Sequence, residues 1–152
     1  MDFSLSDEQR LLRESLAGYL ARGYDFDARR AAARNGGWRA DVWRKFADEL
    51  GLFGAGLSEE AGGIGGGPVE TMVIAEELGR ALVIEPYIEG VVVATALLRD
   101  AQGVAEQLRA AIVAGDAIVA PALYEAKGRS SPVVADTTAS ASGDAVALHG
   151  AK

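Results

Sequence analysis

The chain has 152 residues, 49% hydrophobic and 24% charged, with a formal net charge of -7 at pH 7. That length holds one ordinary domain, or one domain and part of another, and the apolar fraction is enough for a core. The negative balance argues against a broad phosphate-backbone contact, and the lack of cysteine excludes disulfides, thiolate metal sites and a cysteine nucleophile. The opening MDFSLSDEQRLL is polar and acidic where a signal peptide needs a basic start and an apolar run. The longest apolar run, residues 90–98, falls far short of the roughly 20 residues of a membrane span. The expectation is a soluble, cytoplasmic protein with neither nucleic acid nor membrane as partner.

In chain order, Ser6 with Gln9 three residues later predicts a capping box, and Leu12, Leu16, Tyr19 and Leu20 share the face of a helix over 7–22. A second helix is predicted over 26–34, stopped by Asn35-Gly36-Gly37. A third carries Trp43, Phe46, Ala47 and Leu50 on one stripe, with Asp41 as N-cap and Gly51 at its end. A glycine-rich connection over 62–67 leads to Pro68 at a first helical position, then to a helix over 69–82 that is apolar on more than one side. Glu85-Pro86 marks a break. Residues 87–99 combine a β-branched run, Val91 to Val93, with alanines and leucines, and length favours a buried helix there. Val104, Leu108, Ala111 and Ile112 define a sixth helix that ends at Gly115.

Beyond Gly115 the period changes from helical to β-like. Residues 118–124, 133–142 and 145–152 read as three strands, the last two joined by a tight turn at Gly143-Asp144. The composition shift places a domain boundary between 115 and 116. The predicted fold class is mostly α: an orthogonal domain of about six helices, then the first strands of an incomplete β-barrel.

Few residues suit chemistry. The stretch GGIGGG does not satisfy G-x-G-x-x-G, because the third required glycine falls on Pro68, and it has no preceding strand; a turn between helices is the simpler reading. His149 is the single histidine and has no neighbour at ligand spacing, so neither a metal site nor a histidine triad is expected. Glu59-Glu60 and Glu76-Glu77 are adjacent pairs, which do not face each other across a substrate, and Arg80 is placed to answer one of the latter.

The segment over 50–82 joins these signals in a recognisable order. Leu50-Gly51 ends a helix, an apolar stretch leads to Glu59-Glu60-Ala61-Gly62-Gly63-Ile64-Gly65, and the next helix carries Glu76-Glu77-Leu78-Gly79-Arg80-Ala81. In order and spacing it resembles the N-terminal helical domain of acyl-CoA dehydrogenases. Residues 122–131 lie where that family carries a strand running into Thr-Glu-Pro-x-x-Gly-Ser-Asp, and residues 147–152 resemble its Leu-Asn-Gly-x-Lys. The resemblance implies FAD as cofactor, with Leu123 and Tyr124 facing the flavin, Glu125 matching the family glutamate and Ser130 touching flavin or thioester. It also implies that residues 87–99 line the acyl cavity, with Glu89 at its base. Tyr124, Ala126, Arg129 and Ser131 depart from the family's threonine, proline, glycine and aspartate.

The activity implied is α,β-dehydrogenation of an acyl-CoA thioester, as in fatty acid β-oxidation, with an electron-transfer protein as acceptor and a homo- or hetero-oligomeric assembly. The family's glutamate base lies in a C-terminal helical bundle that these residues do not include, so no catalytic residue is expected here and the chain alone should be inactive. The alternatives are a non-catalytic partner subunit of a heteromer and a helical assembly domain.

Overall fold

The structure is a computed structural model that describes residues 4–128, 131, 136–143 and 145–152. It divides into two compact units between Ala120 and Pro121, five residues beyond the composition shift.

In the first unit, α1 (Asp7–Gly23) begins with the predicted box: Ser6 Oγ accepts from the Gln9 N–H at 3.2 Å and Gln9 Oε1 accepts from the Ser6 N–H at 2.9 Å. Helix α2 (Phe26–Arg34) is capped by Asp25, which accepts from the Ala28 N–H at 2.7 Å; it buries no residue. Helix α3 (Ala40–Asp48) buries Val42, Trp43 and Phe46. Its N-cap is Arg39, not Asp41. Asp41 lies in the first helical turn, where the unpaired amide dipoles favour a carboxylate, and it accepts from the Arg39 guanidinium at 2.6 Å.

Gly51 takes a left-handed conformation, φ 60°, and starts a separate short helix, α4 (Leu52–Ala55), whose four residues are all buried. The sequence shows only an apolar stretch there, so the count rises to seven helices among the described residues. A 3-10 turn, Glu59–Ala61, and the glycine loop follow. Helix α5 (Pro68–Arg80) has Pro68 at its first position, as predicted, and packs along α1, burying Val73, Ile74 and Leu78.

Residues 87–99 are helical but not uniformly α. Ile88–Val93 forms a π-helical segment, continued by α6 (Ala94–Leu97). The wider turn falls on the β-branched run, whose side chains crowd an ordinary α-helix, and Thr95 Oγ1 donates to the Val91 carbonyl at 2.7 Å. Helix α7 (Val104–Val113) closes the unit and is ended by Gly115 at φ 75°. The core joins Leu16, Phe46, Phe53, Ile74, Tyr87 and Ile112, with the Trp43 and Phe53 rings 4.3 Å apart between centroids.

The second unit is a hairpin and its approach. Strands β1 (Thr138–Ser142) and β2 (Ala145–His149) pair antiparallel, with Thr138 opposite His149 and Ser142 opposite Ala145, around Gly143 at φ 61°. Asp144 lies outside the described residues, as do residues 133–135 of the predicted second strand. Residues 118–124 are not a strand. A strand exists through its ladder, and the one backbone bond found over 121–124 is local, from the Leu123 N–H to the Pro121 carbonyl at 3.1 Å. The mostly α class, helices first and strands after, is what the structure has.

Candidate functional site

The first unit contains an apolar cleft of about 290 Å³. Helix α4 supplies Phe53, the N-terminal turn of α5 supplies Pro68 and Thr71, and the opposite wall comes from the π segment and α6. On that wall Tyr87, Val91, Thr95 and Arg99 follow one another at every fourth position, one per turn.

The polar atoms of this cleft are mostly turned inward. Thr71 Oγ1 donates to the Gly67 carbonyl at 3.2 Å and Thr95 Oγ1 to the Val91 carbonyl. Burial pushes the Tyr87 phenol well up from its usual range, so it stays neutral. No carboxylate and no histidine line the cleft among the described residues. Its chemistry suits holding a hydrocarbon group, not moving a proton.

Glu89 lies on the π segment but is exposed, and it borders a second cleft, of about 320 Å³, formed between the end of α5 and residues 83–89. Glu85 beside it is buried and committed to the fold: it accepts from the Tyr24 hydroxyl at 2.8 Å and from the Arg39 N–H at 3.0 Å. The Tyr24 hydroxyl in turn accepts from the Ile84 N–H at 3.0 Å, and burial, outweighing that bond, pushes its pKa up to about 12.

The glycine loop approaches backbone. A Cβ on Gly63 would collide with the Leu57 and Gly54 carbonyls, and one on Gly66 with the Ala55 carbonyl. These glycines let the loop lie against α4 and its exit. Glu59 and Glu60 are exposed, whereas Glu76 and the buried Glu77 both receive Arg80, at 3.1 and 3.3 Å, and Glu76 also receives Arg13 from α1 at 2.9 Å.

In the second unit Leu123 is half-buried, Tyr124 is exposed and Ser130 lies outside the described residues. The best-organised group is Glu125. Its carboxylate is buried, accepts from Lys152 at 2.8 Å, from the Asp136 N–H and from the Thr137 N–H at 3.0 Å, and these bonds hold its pKa down to about 2. The Ala122 and Tyr124 N–H groups have no backbone acceptor among the described residues. His149 is an exposed strand residue.

Sequence reasoning named the helix at 87–99 but none of the side chains of the cleft wall. The signal was present in the four-residue spacing of Tyr87, Val91, Thr95 and Arg99. The cluster around Glu85 left no such trace, because its partners are about 46 and 61 residues away.

Comparison with known proteins places this architecture. The family described as acyl-CoA dehydrogenase, N-terminal domain, matches residues 6–110. Acyl-CoA dehydrogenase IpdE2 of Mycobacterium tuberculosis is 34% identical over 103 residues, covering 67% of this chain and 32% of that protein. Acyl-CoA dehydrogenase FadE34 of the same organism is 33% identical over 121 residues, covering 74% of this chain and 16% of that one. Among solved structures, the Tcur3481-Tcur3483 steroid ACAD superposes with a TM-score of 0.83 at 27% identity, over 97% of this chain and 40% of that chain. The ChsE4-ChsE5 complex from Mycobacterium tuberculosis gives 0.81 at 26%, over 99% and 40%. The chain thus spans about a third of the length of IpdE2. It belongs to the acyl-CoA dehydrogenase family, whose N-terminal helical domain its residues 6–110 form.

Proposed function

We propose that this chain is the N-terminal part of an FAD-dependent acyl-CoA dehydrogenase that introduces an α,β double bond into an acyl-CoA thioester. The observation that carries the reading is the cleft of the helical unit, walled by Phe53, Tyr87, Val91 and Val92 and lined by no carboxylate or histidine among the described residues. A site of that kind binds and excludes water around an acyl group. Leu123, Tyr124 and Ser130 are the residues we assign to the flavin edge; FAD, when bound, supplies the acceptor for the hydride leaving the β-carbon. The α-proton needs a carboxylate base, and the cleft has none. Glu89, exposed beside the other cleft, stays outside the acyl site in this reading.

A second reading rests on a specific observation. Tyr124, Ala126, Arg129 and Ser131 replace the residues expected at the flavin loop, and one structural relative is a complex of two named chains, ChsE4 and ChsE5. In that reading the chain belongs to a subunit that assembles with a flavin-bearing partner.

Two measurements test these readings. The isolated 152 residues should give no thioester-dependent dye reduction, and turnover by them would refute the assignment. Flavin absorbance and turnover in the protein that carries this chain would support the enzyme. A colourless protein that copurifies with a yellow homologue would support the subunit.

A further inference from the structure

We infer that Arg99 selects acyl groups whose far end carries an oxygen acceptor, a carboxylate most strongly. The inference rests on the reading of the apolar cleft as the acyl site.

Arg99 is the one charged residue among those lining the cleft, and its guanidinium has no hydrogen bond or ion pair among the described residues. Most arginines of the first unit are engaged. Arg10, Arg13, Arg39, Arg44 and Arg80 meet carboxylates, and Arg29 and Arg109 donate to backbone carbonyls. Those left over, such as Arg30 and Arg34, lie on α2, a helix that lines neither cleft, whereas Arg99, exposed as they are, lines the apolar one. Arg99 alone combines a spare fork of donors with a position at an apolar cavity.

Its backbone is fixed while its side chain is free. Arg109 from α7 reaches across to the Leu98 carbonyl at 3.0 Å and to the carbonyl of Arg99 itself, which pins the end of α6. Thr71 and Thr95 already donate to backbone, so the Arg99 guanidinium is the charged group of the cleft that a hydrocarbon chain leaves without a partner. A carboxylate matches the planar fork in two parallel, charge-assisted bonds. The phosphates of CoA are a poorer match. No second cation lines the cleft beside Arg99 among the described residues, as a diphosphate would call for, whereas one carboxylate is matched by one guanidinium.

Titration calorimetry on the full chain tests the inference with hexanoyl-CoA against adipoyl-CoA, octanoyl-CoA against suberoyl-CoA, and free CoA. The dicarboxylic thioester should bind about tenfold more tightly than its partner of equal length. Arg99→Gln should remove that preference, read as the ratio of affinities within each pair, whereas Arg99→Lys should keep part of it. Equal binding within each pair, or a preference that survives Arg99→Gln, overturns the inference and leaves the acyl-site reading standing. An equal loss of free CoA affinity in Arg99→Gln also overturns it, by assigning the arginine to phosphate. Failure of every thioester to bind refutes the acyl-site reading itself, and the inference with it.

Discussion

The two units of the chain are ordered by opposite means. The helical unit has a contiguous apolar core in which Phe46, Ile74 and Ile112 are fully buried. Every described residue of the hairpin strands is exposed, Val146 and Leu148 among them, and the buried group among the described residues of that unit is a carboxylate, Glu125, with donors around it. Two strands without a covered face are marginal in water, and neither outer edge is paired among the described residues. The first unit therefore has its own reason to fold, and the second needs something laid against it.

The largest expected difference comes from the cores. Phe46→Ala should cost about 3–5 kcal/mol, since the ring is wholly buried and touches Tyr19 edge-on at 6.0 Å between centroids. Leu148→Ala, at a residue 72% exposed, should stay within about 0.5 kcal/mol. Urea unfolding followed by helical circular dichroism measures both, and a Leu148 effect as large as that of Phe46 would break the contrast.

Next in size are changes within the helical unit. Gly66→Ala should destabilise by about 1–3 kcal/mol, because the new methyl meets the Ala55 carbonyl, a backbone atom with no room to move. Gly67→Ala, whose methyl would meet only Glu70 Oε2 at 3.8 Å, should be nearly neutral. Thermal melts of the two variants separate a loop that merely turns from one that must lie flat. Equal melting temperatures would remove the close approach as the reason for Gly66.

This contrast also marks what the sequence disclosed. Helix bounds were legible wherever local chemistry sets them: Ser6 with Gln9, Pro68 at a first position, Gly51 and Gly115 at ends. That the GGIGGG run is a connection between helices was legible too. Which of its glycines are indispensable was not, because that depends on carbonyls of α4 folding back onto the loop. The strand expected over 118–124 failed for a related reason. Its propensity is real, but a ladder needs a neighbour, and local composition cannot supply one. The apolar cleft falls between the two cases: the resemblance pointed residues 87–99 at a cavity and the wall was written at every fourth residue from Tyr87, yet only the fold shows which of their side chains line it.

Glu85→Ala should cost about 1–3 kcal/mol by stranding the Tyr24 hydroxyl and the Arg39 N–H. Tyr24→Phe should cost less, because Glu85 keeps the Arg39 N–H, and the Ile84 N–H is the one donor left without its acceptor. Chemical denaturation of both variants orders them, and a larger loss in Tyr24→Phe would shift the anchor from the carboxylate to the phenol.

The smallest effect should be confined to the second unit and should depend on pH. The Glu125 carboxyl is held down to about 2 in the folded hairpin, first by Lys152 and then by the Asp136 and Thr137 N–H groups, against an ordinary value of 4.5. A folded pKa below the unfolded one means that the stabilisation is fully present above about pH 4.5 and is lost as pH falls toward 2. The protection factor of the Thr137 amide, its exchange rate relative to that of an unstructured amide at the same pH, should therefore fall across that window, while α5 stays protected by apolar contacts that do not titrate. Glu125→Gln keeps an acceptor but loses the charge that Lys152 answers, so it should speed exchange at neutral pH and flatten the pH profile. A profile unchanged by Glu125→Gln would mean that the hairpin is ordered by something other than this carboxylate.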